Sequence, residues 1–280
     1  VADPSKLSTR ELEQLARGYV RGMHHYLGEK IDIPAPDVGS NSQIISWMVD
    51  EYCQIVGEQA LGVFTGKPVE LGGSLGRTEA TGFGVSVIGR KIAQKKNMDL
   101  KDLTVAVQGF GNVGGFTVKH FESLGAKIVA VSDFDTEPFA IHHADGFSYD
   151  ELIASGDDLR NYPGATEMLM DDFWSQKVDI LIPAALANAI DVEIAQTIQA
   201  SVILEGANGP VTPEADAVLD GKGITVVPDI LANSGGVIVS YFEWVQNLGG
   251  YYWSEGDVAN RQETAMSQAF DTIWETKENH

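Results

Sequence analysis

The chain has 280 residues, enough for one large or two ordinary domains around a buried core. Its 40 acids against 19 bases give a formal net charge of −21, a surface that repels nucleic acid and anionic membranes. The hydrophobic fraction of 44% fits a globular protein. No apolar run reaches the length of a membrane span, Val1–Arg10 carries no signal-peptide core, and a lone Cys53 excludes an internal disulfide and a multi-cysteine metal site, so a reducing cytoplasm is the expected compartment. The acids are scattered over the whole chain. That is the pattern of a protein kept soluble in concentrated salt, with an ordinary acidic cytosolic enzyme as the alternative.

Ser8 and Glu11 have capping-box spacing, and open a helix in which Leu12, Leu15, Ala16, Tyr19, Val20 and Met23 share a face. His24 and His25 close it, where a helix dipole favours cations; as adjacent helical residues they are expected to diverge and make a poor metal pair. In Ile31–Gly39 (IDIPAPDVG) two prolines force an extended path and Gly39 permits a sharp turn, so Asp37 is held in a stiff loop. That mounting suits a positioned general acid/base, and equally an N-cap for the helix expected over Ser42–Val56. A glycine-dense loop, Gly72–Gly82, then leads into a helix over about residues 81–94. Arg77 and Thr81 are its polar side chains suited to an anion and an amide.

The stretch Thr104–Asp133 (TVAVQGFGNVGGFTVKHFESLGAKIVAVSD) reads as strand, glycine turn, helix, strand. Gly109-Phe110-Gly111-Asn112-Val113-Gly114 carries the G-x-G-x-x-G spacing. Its first glycine permits a tight turn, the second lets backbone N–H groups approach a pyrophosphate, and the third lets the helix pack closely on its strand. Asp133 ends the unit, where an acid can bind a ribose 2′-hydroxyl; this favours NAD over NADP, because a 2′-phosphate would meet a carboxylate. An ordinary βαβ unit with a solvated turn acid is the competing reading. Phe134–Trp174 reads as mixed and polar.

Strands and helices alternate again over Val178–Ile182, Val202–Leu204 and Ile224–Val227. Alternation indicates a doubly wound parallel sheet with ligand contacts at the carboxyl ends of its strands, which here carry Ala185 and Asn208. Thr212 and Pro213 form an N-cap and N1 pair. Asn233 opens a long apolar helix carrying Val237 and Ser240, and a helix over about residues 255–276 follows.

Taken together, PAPDVGS (Pro34–Ser40), TGKPVELGGSLGRTEATGFGV (Thr65–Val85), GFGNVGG (Gly109–Gly115), LEGANGPVTPEAD (Leu204–Asp216) and NSGGVIVSYFEWVQN (Asn233–Asn247) resemble the glutamate dehydrogenase family in order and spacing. The resemblance implies an α/β fold, a doubly wound, Rossmann-like parallel sheet with the remnant of a second, substrate-binding α/β domain. The implied boundaries are residues 1–70 for the substrate domain, 71–236 for the dinucleotide domain, and 237–280 for helices returning to the substrate domain. The implied reaction is reversible oxidative deamination of L-glutamate to 2-oxoglutarate and ammonium, with NAD or NADP as coenzyme, by a homohexamer.

By matching position, Asp37 resembles the acid/base that serves the substrate nitrogen. Thr81 and Asn233 resemble groups holding the nicotinamide carboxamide, and Asn208 the group near its ribose. Gly109, Gly111, Asn112, Val113, Gly114, Asp133 and Ala185 fall with the cofactor, and Arg77 resembles a residue lining the cleft near it. Val237 and Ser240 resemble side chains near the substrate γ-carboxylate; a serine hydroxyl bonded back to its own helix is the alternative for the latter. No metal ligand is implied.

Two departures stand out. The family's glycine-flanked lysine, GGxKGG, does not occur, and neither Lys6 nor Lys67 sits in a matching context. The sequence is therefore expected to be an internal portion of a longer chain. Asn41–Ile45 also replaces a stretch that is more often charged. Two other functions stay open: a non-catalytic NAD(P)-binding protein and a dehydrogenase of an apolar amino acid.

Overall fold

Residues 6–37, 39–156 and 158–279 are described by the computed structural model, and they fall into two compact units. Val38 of the PAPDVGS stretch and both chain ends lie outside the described residues. The first unit runs to Thr78 and takes up Val237–Gln262; the second takes Glu79–Gly236 and resumes at Glu263.

In the first unit, α1 (Thr9–Met23) begins with the capping box: the Ser8 hydroxyl accepts from the Glu11 N–H, and the Glu11 carboxylate accepts from Ser8. Its buried stripe is narrower than the apolar pattern suggests. Ala16 and Val20 are buried, while Leu15 and Tyr19 remain 47% and 42% exposed. The helix ends at Met23 with His24 as its C-cap, still in right-handed helical geometry, and the His24 and His25 rings approach to 3.8 Å instead of diverging. Helix α2 (Ser42–Val56) is capped by Asn41, whose side chain accepts from the Ile44 N–H at 3.1 Å, and it stops at left-handed Gly57. The uncharged start of this segment is thus a cap. Val20, Leu27, Ile45, Val49, Tyr52, Val63 and Phe64 pack as one core, and Arg17 and Arg21 bridge to Asp50 and Glu51 across α1 and α2.

The second unit opens with α3 (Ala80–Lys95) and then forms a sheet in which β1 (Thr104–Gln108) is followed by α4 (Asn112–Ser123) and β2 (Lys127–Phe134). Next come β3 (Pro138–His142), α5 (Tyr149–Ala154), β4 (Thr166–Met168), α6 (Met170–Trp174) and β5 (Ile180–Pro183). The unit continues with α7 (Val192–Thr197), β6 (Val202–Leu204), α8 (Pro213–Gly221), β7 (Thr225–Val227) and α9 (Asp229–Ala232). The seven strands lie in the order β4-β3-β2-β1-β5-β6-β7. β2, β1, β5, β6 and β7 are parallel, whereas β3 runs antiparallel to β2 and β4 antiparallel to β3.

The sheet is therefore mostly rather than wholly parallel. The segment read as mixed and polar supplies the exception: β4, at the sheet edge, and β3 beside it have three and five residues and are flanked by polar segments. The central strands are apolar in their interiors, as burial on both faces requires: Val105, Ala106, Val107, Ile180 and Ile182 are buried. On one face Ala106, Ala130, Leu181 and Ile203 meet Phe173, Ala195, Ala215 and Leu219 from α6, α7 and α8. On the other, α4 lies over Val107 and α3 over Leu204.

The chain finishes with α10 (Gly235–Gly249) and α11 (Glu255–Asn279). All of 237–280 was expected to return to the first unit, but α11 joins the second from Glu263 onward. There Met266 and Phe270 are buried, and Glu263 and Asp271 pair with Arg90 and Lys91 of α3 at 2.5 and 2.8 Å. Among the described residues no helix is long and apolar enough to cross a membrane, and no group of three or more His, Cys, Asp or Glu is arranged to hold a metal ion.

Candidate functional site

The strand order reverses between β1 and β5, and ligands of open α/β sheets bind at the carboxyl ends of such strands. Gly109 leaves β1 at φ +90, with its N–H donating to Ser132 O at 2.8 Å. A Cβ on Gly109 would stand 2.9 Å from that of Ala185, which follows β5 and is exposed. Gly114 lies so close to the preceding turn that a Cβ there would fall 1.8 Å from Gly109 O. Gly111 differs: a Cβ on it meets nothing within 4 Å, and as N-cap of α4 it offers no side-chain acceptor to the first helical N–H groups. Open space in front of the positive end of a 12-residue helix that has no side-chain cap is the cradle a pyrophosphate needs. Asn112 is exposed and Val113 half-buried at this turn.

Asp133 lies within β2, one residue before its end, rather than after the strand as the sequence suggests. It is half-buried and pairs in register with Phe139 of β3. The basic neighbour is Arg160, whose guanidinium carbon stands 4.6 Å over the Phe139 ring. Arg160 is already engaged by Asp158 at 2.7 Å and Asp135 at 3.2 Å.

At the ends of β6 and β7 a closed network forms. The Asn233 side-chain amide donates to Asn208 Oδ1 at 2.7 Å, and the Asn233 N–H donates to Asp229 O at 2.9 Å. The Asp229 carboxylate accepts the Gly209 N–H at 2.8 Å, and buried Glu205 accepts the Asp229 N–H at 2.8 Å. Burial pushes the Glu205 carboxyl above its ordinary pKa, against the backbone donors that favour its ionised form. Thr81 sits half-buried in the first turn of α3, the helix that packs on α9, and α9 ends at Asn233.

In the first unit, Asp37 is exposed in a turn closed by the Ser40 N–H and hydroxyl on Asp37 O, at 2.9 and 2.8 Å, with Gly39 at φ +82. It does not cap α2, since Asn41 does. Arg77 Nε donates to Ser240 Oγ at 2.9 Å. This pairs two residues read as serving different ligands, and Ser240 accepts from Arg77 where the alternative had it bonded back to its own helix. The rest of the guanidinium finds no partner among the described residues. Burial pushes its pKa below the ordinary value, with Glu243 opposing. Val237, one turn before Ser240, is 67% exposed.

Four charged residues here were given no role in the sequence reading. Lys67 and Glu243 form an ion pair with both side chains fully buried, at 2.5 Å. Glu205 and Arg160 are the others. Glu243 carries the detectable signal: it follows Ser240 by three positions and thus shares a face of α10 with it.

A family model described as Glutamate/Leucine/Phenylalanine/Valine dehydrogenase matches residues 72–280, and one described as Glu/Leu/Phe/Val dehydrogenase, dimerisation domain, matches residues 1–54. The chain is 51% identical to the NAD-specific glutamate dehydrogenase of Clostridioides difficile, over 100% of its own length and 68% of that protein's. The crystal structure of glutamate dehydrogenase from Peptoniphilus asaccharolyticus superposes with a TM-score of 0.86 at 48% identity, covering 99% of this chain and 66% of that one. The hetero-hexameric glutamate dehydrogenase of Thermus thermophilus in its Leu-bound form gives a TM-score of 0.92 at 35% identity, with coverage of 99% and 66%. The chain thus spans about two thirds of the length of the relatives it matches.

Proposed function

The chain belongs to the Glutamate/Leucine/Phenylalanine/Valine dehydrogenase family, and from that premise we propose that it serves the reversible oxidative deamination of L-glutamate to 2-oxoglutarate and ammonium, with NAD as hydride acceptor. The observation that carries the substrate reading is the Arg77–Ser240 pair, a half-buried guanidinium whose remaining donors are open to a carboxylate. Arg77 therefore moves from the cofactor to the substrate: it and Ser240 hold the γ-carboxylate, and Val237 packs beside it. Asp37, on its stiff turn, moves the proton to and from the substrate nitrogen.

The turn Gly109–Gly114, with Asn112 and Val113, holds the pyrophosphate, beside Ala185. Asp133 accepts from the adenosine ribose hydroxyls, and Arg160, whose guanidinium stacks on the Phe139 ring, is engaged by two acids instead of standing open to a 2′-phosphate. Asn208, Asn233 and Thr81 hold the nicotinamide end. When bound, NAD takes the hydride from the substrate Cα. The electrophilic lysine of the family has no counterpart in residues 1–280, and Lys67 is not a substitute, being wholly buried against Glu243 and Phe64 O. Loss of one such donor typically lowers the rate by about 10² to 10³.

The reading extends to a homo-oligomer, with a hexamer as the expected form, in a reducing cytoplasm of high salt. Residues 1–70, 71–236 and 237–280 remain the proposed functional division, with Thr78 and Glu263 as the structural crossings. Kinetics of the full-length protein test the proposal. L-glutamate should drive NADH formation, NADP should be a poor substitute, and Arg77→Gln should raise the glutamate KM far more than the NAD KM. Coenzyme binding without turnover, or equal turnover of L-leucine, would contradict it.

A further inference from the structure

Lys67 has no part in the roles above, yet its ammonium and the Glu243 carboxylate are the most deeply buried ion pair among the described residues. Glu243 Oε1 accepts the Lys67 ammonium at 2.5 Å and the Lys67 N–H at 3.2 Å, while Oε2 accepts the Gly66 N–H at 3.0 Å. Lys67 also donates to Phe64 O at 2.6 Å. Three positions separate Glu243 from Ser240, so the two side chains are neighbours on α10, and Arg77 is bonded to that serine. Glu243 is close enough to act on the Arg77 guanidinium electrostatically. Lys67 feels both Glu243 and the more distant Glu29, whereas Glu243 is the one carboxylate acting on Arg77 among the described residues.

We propose that Lys67 is a specificity-determining residue: by holding Glu243 in a closed ion pair, it keeps that carboxylate from neutralising Arg77, so the guanidinium stays free for an anionic substrate side chain. This rests on the reading of Arg77 as the substrate-carboxylate group. Without Lys67, Glu243 keeps only two backbone donors, and a buried carboxylate so placed is drawn to the next cation, which is Arg77. The substrate then competes with an internal carboxylate for the same guanidinium.

The test compares Lys67→Met, the double variant Lys67→Met/Glu243→Gln, and Arg77→Gln in the full-length protein, by steady-state kinetics and NADH fluorescence. Lys67→Met should raise the glutamate KM at least tenfold with NADH affinity unchanged. The double variant, which removes both charges, should return the KM to within threefold of the parent. A double variant that binds NADH normally but keeps the high KM would overturn the proposal, because a merely structural defect would not be relieved by removing the second charge. Should Lys67→Met fail to fold, the double variant against the parent still decides, a tenfold KM rise being contrary. If Arg77→Gln leaves the KM unchanged, the substrate reading itself fails; if it raises the KM while Lys67→Met does not, only the role of Lys67 fails.

Discussion

At the glycine turn, two substitutions that look alike in sequence are expected to behave oppositely. An alanine at Gly114 would place its Cβ 1.8 Å from Gly109 O, so the backbone must shift, and overpacking of this kind destabilises by about 1–3 kcal/mol. An alanine at Gly111 meets no protein atom within 4 Å and sits at φ −72, so stability should change by no more than about 1 kcal/mol while NADH binding weakens strongly. Thermal melts paired with NADH fluorescence check both. Glu205 gives a pH prediction. Its folded-state pKa is raised above the ordinary 4.5 by burial, so just above that value the native state holds a proton the unfolded chain has released. Stability contributed by this group therefore falls as pH rises through the window between the two values. In melts of the parent and of Glu205→Gln, whose amide oxygen can still accept from Asp229, the parent should lose ground as pH rises above 4.5; a constant difference would count against the buried carboxylate.

Asn41, Asp37 and the β3–β4 pair show where elements were legible in the sequence and where they were not. Asn41→Ala should destabilise the protein by about 1 kcal/mol, as loss of an N-cap does. Asp37→Asn should leave the melting temperature unchanged and lower kcat, separating two roles that the spacing alone left even. Helix α2, strand β6 and the Thr212–Pro213 start of α8 lie where period and capping residues put them, because there local and tertiary preferences agree. The antiparallel strands β3 and β4 were hidden: three to five residues flanked by polar segments owe their state to pairing, β3 with β2 and β4 with β3, which no local pattern encodes. The glycine turn was legible because backbone geometry restricts what can stand at Gly109 and Gly114. The partnership of Arg77 with Ser240, 163 positions apart, was not, since nothing in a sequence fixes which distant side chains meet.

Over the whole molecule, a net charge of −21 on 280 residues stores self-repulsion that salt relieves. The melting temperature is therefore expected to rise steeply between roughly 0.1 and 2 M salt, where the screening length shrinks from about 10 Å to below 3 Å; a flat response would leave an ordinary acidic enzyme. Light scattering of the full-length protein should give a hexamer mass. Most direct of all is the ratio of kcat/KM for L-glutamate over L-leucine with NAD in the full-length protein. A site that offers a guanidinium to a carboxylate should favour glutamate by about 10³ or more. A ratio near one, or coenzyme binding with no turnover of either amino acid, would contradict the account.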